Sequence, residues 1–417
     1  MLSVGRALWP LYLGLGLCMV GNGLQGTLLG VRGPQAGFSN LAMSAIMAGY
    51  FAGFLVSSSL TPALIRNVGH MHVFAALGSM ISAVLILYPV LTYPAAWVPL
   101  RFVIGFCFCG VYITAESWLN EGTDTTNRGA ALSLYMIVQM AGITGAQGIV
   151  SFGDPSGYEL FILSSVLVSL ALAPVLLTAQ RTPAFARTKP MSLREVWHRS
   201  PLGIIGMFLV GGVFAGQFGM AAVYASNTGL TLRETSAFVA AFYAGALLFQ
   251  FPIGWLSDRL DRRLLILVAA AGGTLCCGVG ILMGESYGAL LVTAFLVGGL
   301  SNPLYALIIA HVNDLVDYDD MPAVSGRLLF VNGIGAILGP FAIGGAFGLI
   351  GPAGFWAAMA GFLGLLAIYA AWRMTRRAAP EDTSSYAPVT PVATAVALEA
   401  FAEEMEAEGD ADAGRAA

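Results

Sequence analysis

Charge is what this sequence has least of. Asp, Glu, Lys and Arg make up 10% of its 417 residues, against about 25% in an average soluble domain. A soluble helical bundle needs polar helix faces, and stretches such as 161–177 and 264–283 carry no charge and few polar groups. That class is excluded. Cysteine is sparse as well. Cys18, Cys107, Cys109, Cys276 and Cys277 all fall inside apolar stretches, where the side chain acts as a small hydrophobe, so neither a disulfide framework nor a zinc spacing is visible. The sequence holds no G-x-x-x-x-G-K-[ST], no H-E-x-x-H and no G-x-S-x-G. ATP-driven pumping by this chain and intramembrane hydrolysis are therefore disfavoured. No charged ring or filter repeat marks a channel. The chain is expected to be no enzyme, to hold no metal or cofactor, and to bind no nucleic acid.

What remains is apolar sequence: 57% of residues are hydrophobic and the mean hydropathy is +0.79. Crossing a hydrocarbon core of about 30 Å takes roughly 20 apolar residues in a helix. About twelve such stretches follow one another, at 7–29, 41–62, 72–93, 95–118, 129–151, 159–179, 201–225, 236–256, 264–283, 287–311, 325–349 and 352–373. Each must be helical, because an open strand in lipid leaves backbone groups unpaired. The first stretch reads as a permanent span rather than a cleaved signal. With the N-terminus placed in the cytoplasm, nearly all Lys and Arg in the links fall on that side, from Arg6 and Arg66 to Arg373, Arg376 and Arg377. Only Arg32 and Arg233 fall opposite. The positive-inside bias thus predicts an even number of spans in the inner membrane, with both termini cytoplasmic.

The predicted units are a six-helix bundle over 1–179, a basic cytoplasmic linker over 180–200, a second six-helix bundle over 201–375 and a disordered acidic tail over 376–417. The linker holds a possible amphipathic helix at 193–199. Sliding the second half back by about 192 residues lays Gln217 on Gln25, Gly229 on Gly37, and Phe242-Tyr243-Ala244-Gly245 on Tyr50-Phe51-Ala52-Gly53. With one gap, Tyr305 meets Tyr112 and Asn313-Asp314 meets Asn120-Glu121. Parallel repeats with a site near the midplane between them are one way transporters are built.

After the eighth stretch the chain reads Gly254-Trp255-Leu256-Ser257-Asp258-Arg259-Leu260-Asp261-Arg262-Arg263. This resembles the loop signature of the major facilitator superfamily, G-x-L-[AS]-D-R-x-x-[GR]-[RK]. The corresponding loop of the first half, 62–70, lacks the Gly and the Asp, so any cytoplasmic latch is expected mainly in the second half. Arg101 with Gly105 resembles the fourth-span pattern R-x-x-x-G, and Gly335, Gly339 and Pro340 resemble the eleventh-span pattern G-x-x-x-G-P, small residues that let helices pack closely and bend. Arg101-Phe102-Val103-Ile104-Gly105, Glu116-Ser117, Asn127-Arg128-Gly129 and Tyr135-Met136 together resemble the YcaD-like branch. The resemblance implies an all-α fold of twelve membrane helices in two pseudo-symmetric bundles, with the first and seventh spans lining a central cavity.

An ionisable group within a span costs at least ~2.5 kcal/mol. Arg101 is either an anion contact, a coupling group or a packing lock satisfied by carbonyls. Gln25 and Gln217 are the leading cavity candidates, since an amide both donates and accepts, with interhelical glue as the alternative. Asn22, Tyr112, Gln139, Tyr305 and Asn332 are further substrate candidates. Glu116, paired with Arg128, and Asp314, with Asp258, Arg259, Arg262 and Arg263, are candidates for the cytoplasmic gate or loop lock. The function expected is a monomeric secondary transporter for a small polar or amphipathic solute, working by rocking its halves, with protons as a possible coupling ion. The alternative is a non-transporting assembly factor or receptor that kept the fold.

Overall fold

The structure, a computed structural model, describes residues 8–123, 128–177, 191–316 and 320–376. Twelve helices long and apolar enough to cross a membrane are present among them. In the first half they run Trp9–Gln35, Asn40–Val68, His70–Val90, Pro94–Gly122, Arg128–Val150 and Glu159–Leu176. In the second half the seventh span is three segments, Pro201–Ala215, a π-helical turn at Gly216–Met220 and Ala221–Asn227. The eighth is Leu232–Ser257, the ninth Arg262–Leu282, the tenth Tyr287–Ser301 with Pro303–Asn313, the eleventh Met321–Ile350 and the twelfth Ala353–Met374. The observed helices start or end a few residues beyond several of the apolar stretches. The caps lie in the links, as at Ser39 and Thr231, whose side chains accept from the backbone N–H of Ala42 and Glu234, groups with no partner inside the helix.

The short linker helix sits at Leu193–Arg199, opened by a capping box between Ser192 and Glu195. It is tied to the second half: Arg199 pairs with Asp320 at 3.1 Å, and Arg327 Nε donates to the Met191 carbonyl. Residues 180–190, the tail beyond 376, Asp317 and Asp319 lie outside the described residues.

The internal repeat is visible in the packing. A Cβ on Gly105 would overlap the Tyr50 carbonyl oxygen, and one on Gly298 would overlap that of Phe242; these are the second–fourth and eighth–tenth span contacts of the two halves. Gly335 meets the Phe208 carbonyl in the same way, and a Cβ on Gly339 would come within 2.9 Å of Gly212 Cα. Small residues let these backbones touch, which gives dispersion contact where lipid supplies no hydrophobic drive. Gly37 and Gly229 repeat too, both with φ of 78°, a left-handed value that suits glycine. The two bundles meet where the second span packs on the eleventh, the first on the seventh and part of the fifth on the eighth; across this seam Ser44 Oγ donates to the Pro340 carbonyl at 2.8 Å. At the end of the seam away from the termini, Asn227 Nδ2 donates to Asn40 Oδ1 at 3.1 Å.

Candidate functional site

Between the bundles lies a cavity of about 250 Å³. Gln25, Asn22, Arg101, Tyr112 and Gln217 line it, together with Asn302 and an aromatic set that includes Tyr50, Phe51, Phe214, Phe218 and Tyr243. In the first half the polar groups form one chain. Arg101 Nη1 donates to Gln25 Oε1, Gln25 Nε2 donates to Asn22 Oδ1 at 3.0 Å, and Asn22 Nδ2 donates to the Tyr112 hydroxyl at 2.8 Å and to that of Tyr50 at 3.4 Å. In the second half Gln217 occupies the equivalent place. It accepts from Asn302 Nδ2 at 2.8 Å and donates to Ser301 Oγ. Each glutamine therefore takes a donor from the fourth or tenth span into its oxygen and gives away an N–H.

Local sequence explains both arrangements. Gln217 sits in the π-helical turn, the kind of one-turn bulge that re-aims a side chain. Pro303 has no N–H and breaks the tenth helix, and at the break Asn302 Nδ2 also donates to the Gly298 carbonyl at 3.0 Å. On the first-half side the break is absent and Arg101 takes over.

Arg101 is 3% exposed. Its guanidinium lies 4.8 Å from the centre of the Tyr50 ring and 3.7 Å from Met47 Sδ, and its Nε has no hydrogen-bond partner. No carboxylate pairs with it among the described residues. A desolvated cation–π contact contributes about 2 kcal/mol, while removing a cation from water costs several. The first-half wall thus keeps an uncompensated positive charge, and the second-half wall is neutral.

The other candidates lie elsewhere. Gln139 Nε2 donates to the Tyr135 hydroxyl at 3.4 Å, off the cavity. Asn332 Nδ2 donates to the Met207 carbonyl at 3.1 Å and ties the eleventh span to the seventh. Tyr305 is fully buried in the tenth span and does not reach the cavity wall. Glu116 is fully buried and accepts from the Tyr135 hydroxyl at 2.7 Å. Arg128 opens the fifth helix, but its side chain lies outside the described residues, so the expected Glu116–Arg128 bridge does too. Sequence reading passed over the aromatic wall. Tyr50 and Phe51 belonged to the repeat, but nothing in their spacing said that they face Phe214, whose ring centre is 6.0 Å from that of Phe51.

The loop after the eighth span forms a lock within the second half. Arg262 pairs with Asp314 at 2.5 Å, both almost wholly buried, and also donates to the Ala310 carbonyl at 2.9 Å and to Ser257 Oγ at 3.2 Å. Arg263 pairs with Asp261 at 2.7 Å, Arg259 stacks on Trp255 at 4.1 Å, and Asp258 and Arg259 are exposed. Gly254 is buried at the end of the eighth helix. In the first half His70 stands where Arg262 does, and its Nε2 meets Ser117 Oγ at 2.9 Å. A neutral hydrogen bond replaces the ion pair.

An all-α bundle of twelve membrane helices in two matching halves, with a polar chamber at the seam, is the architecture of a membrane transporter. The Major Facilitator Superfamily model matches residues 203–403. The MFS-type transporter YcaD of Salmonella paratyphi B is 25% identical over 340 residues, covering 80% of this chain and 87% of that protein. YcaD of Escherichia coli O7:K1 is 25% identical over 341 residues, with the same coverage. Among solved structures, the nucleoside transporter NupG gives a TM-score of 0.69 at 15% identity, covering 88% of this chain and 99% of that one. A bacterial homologue of the human lysosomal transporter Spinster, inward-facing and occupied, gives 0.68 at 15% identity, covering 89% and 97%. The family-model match and the likeness to YcaD support a membrane transporter of the major facilitator type rather than an enzyme.

Proposed function

We propose that the protein is a secondary transporter that moves a small polar or amphipathic solute across the inner membrane as a monomer with both termini cytoplasmic, binding it between Gln25 and Gln217 and alternating access by rocking its two halves. One observation carries the reading: two equivalent amides, one from each half, meet at a single chamber on the seam. A solute held by both would feel any tilt of one half against the other, which is what couples binding to movement. The rigid Arg262–Asp314 lock and the close glycine contacts keep each half a unit during that tilt. Among the described residues, those lining the chamber include no Asp, Glu or His. A proton-coupled cycle would therefore have to work through Glu116, one or more turns away on the fourth span.

The test is a thermal-shift screen of the purified protein against metabolites and drugs, followed by flux of the stabilising compound in proteoliposomes. Gln25→Leu and Gln217→Leu, singly and together, should abolish flux while leaving the fold intact. Persistent binding with no flux at all, or flux untouched by both changes, would overturn the assignment and favour a receptor or assembly role.

A further inference from the structure

The chamber is closed along the membrane normal and open sideways. Residues 107–119 of the fourth span and 303–312 of the tenth are buried without a break. Each run exceeds two helical turns, so no face of either is left bare. Toward the other membrane face, 27–31 of the first span and 219–225 of the seventh are buried in the same continuous way. Yet the lining of the chamber includes Ile137 on the fifth span, at 54% exposure, and Leu247 and Phe251 on the eighth, at 59% and 87%. Lining residues this exposed place the opening of the chamber at that wall, beyond the stretch where the fifth and eighth spans touch. The opening falls in the N-terminal half of the fifth helix and the C-terminal half of the eighth, the portion nearest the termini. Its rim is apolar apart from Ser133 and Gln250.

At the far side of the same chamber stands Arg101, buried, with no carboxylate partner among the described residues and with Nε unpaired. From this geometry we infer that the solute is an anionic amphiphile that passes into the chamber from the bilayer leaflet nearest the termini, through the gap between the fifth and eighth spans. Its charged head reaches Arg101 and its apolar body lies along Phe251, Leu247 and Ile137. This rests on the transporter reading above and deepens it. An apolar, outward-facing rim suits a tail that never leaves hydrocarbon, while a lone guanidinium beyond it selects the head by charge and by forked hydrogen bonding. A fully water-soluble solute would gain nothing from an opening that faces lipid.

The experiment uses the full chain in nanodiscs of zwitterionic lipid, with three probes compared by thermal shift: dodecyl phosphate, methyl phosphate and dodecyltrimethylammonium. Dodecyl phosphate should stabilise the protein at a concentration at least tenfold below that needed for either of the others. Arg101→Gln should remove the preference, and Arg101→Lys should restore part of it. Because Arg101→Gln could lose the fold, a second measurement uses the unaltered protein: dodecyl phosphate carrying a photoreactive group at the tail end, with attachment sites read by mass spectrometry. Labels should concentrate on Ile137, Met140, Leu247 and Phe251. Even labelling of the lipid-facing surface would overturn the lateral route, and equal stabilisation by the cationic probe would overturn the anionic head. Methyl phosphate acting as well as dodecyl phosphate would overturn the amphiphile while leaving a seam transporter for a polar solute standing.

Discussion

Replacing Asp314 by Ala would leave the Arg262 guanidinium buried and without its carboxylate. The pair is closed at 2.5 Å, and the two side chains are 1% and 2% exposed, so solvent cannot take over the lost interaction. Breaking a buried pair by removing one partner costs about 3–5 kcal/mol. The remaining bonds from Arg262 to the Ala310 carbonyl and Ser257 soften this but leave a net charge in place. For a cooperative unit the size of one bundle, about 2–4 °C is lost per kcal/mol, so Asp314→Ala should lower the apparent melting temperature on the order of 10 °C. The double variant Arg262→Met with Asp314→Leu removes both charges and fills the volume, and should regain most of that loss, since apolar replacements of buried pairs are often neutral or stabilising. Melting curves in one detergent of the unaltered protein, Arg262→Met, Asp314→Leu and the double variant form a double-mutant cycle, and a coupling above about 2 kcal/mol is expected from direct contact at this burial. Single-variant losses below about 1 kcal/mol with additive behaviour would refute the reasoning, because that is how solvated surface pairs behave.

Three further outcomes are expected. Gly298→Val should be destabilising by at least the 1–3 kcal/mol of an overpacked core, measured by thermal unfolding, since even a Cβ there overlaps the Phe242 carbonyl. His70→Ala should cost about 1 kcal/mol, the worth of one neutral hydrogen bond, far less than breaking the Arg262–Asp314 pair of the other half by Asp314→Ala. For Asp261, burial alone would raise the carboxyl pKa, but hydrogen bonds from the Arg263 backbone and guanidinium outweigh it and hold the group below its ordinary 3.8. The stability it adds is complete above the ordinary value and is lost as pH falls through the lowered one. Asp261→Ala, which also removes the ninth-helix cap, should cost about 1 kcal/mol at pH 7, and the gap to the unaltered protein should narrow below about pH 4 in melts across pH.

How much was legible in the sequence differs from feature to feature. The twelve spans and the linker helix at 193–199 could be read directly, since length, hydropathy and a capping pattern are local properties. The duplicated halves were legible too, through Gln25 with Gln217, Gly37 with Gly229 and the aromatic-Ala-Gly runs. So was the asymmetry of the loop lock, because the first half visibly lacks the Asp of the signature. Rotation about each helix axis was not legible. Hydrophobic residues surround these helices on every side, facing lipid, a neighbour or the chamber alike, so periodicity carries no sign of which way a side chain points. That is why Gln139 and Asn332 read as candidates but turned into packing contacts, while Phe214, Phe218 and Tyr243 went unnoticed and turned out to wall the chamber.

The sequence by itself determined that this chain crosses a membrane twelve times in two related halves, because hydrocarbon demands long apolar helices and a duplicated gene segment keeps its spacing. Only the tertiary structure decided that Arg101 has no carboxylate partner among the described residues, that Gln25 and Gln217 meet the same chamber, and that exposed residues of the fifth and eighth spans line it. Those facts depend on how helices are turned and set against each other, and in a lipid-immersed bundle that is fixed by contacts between residues far apart in the chain.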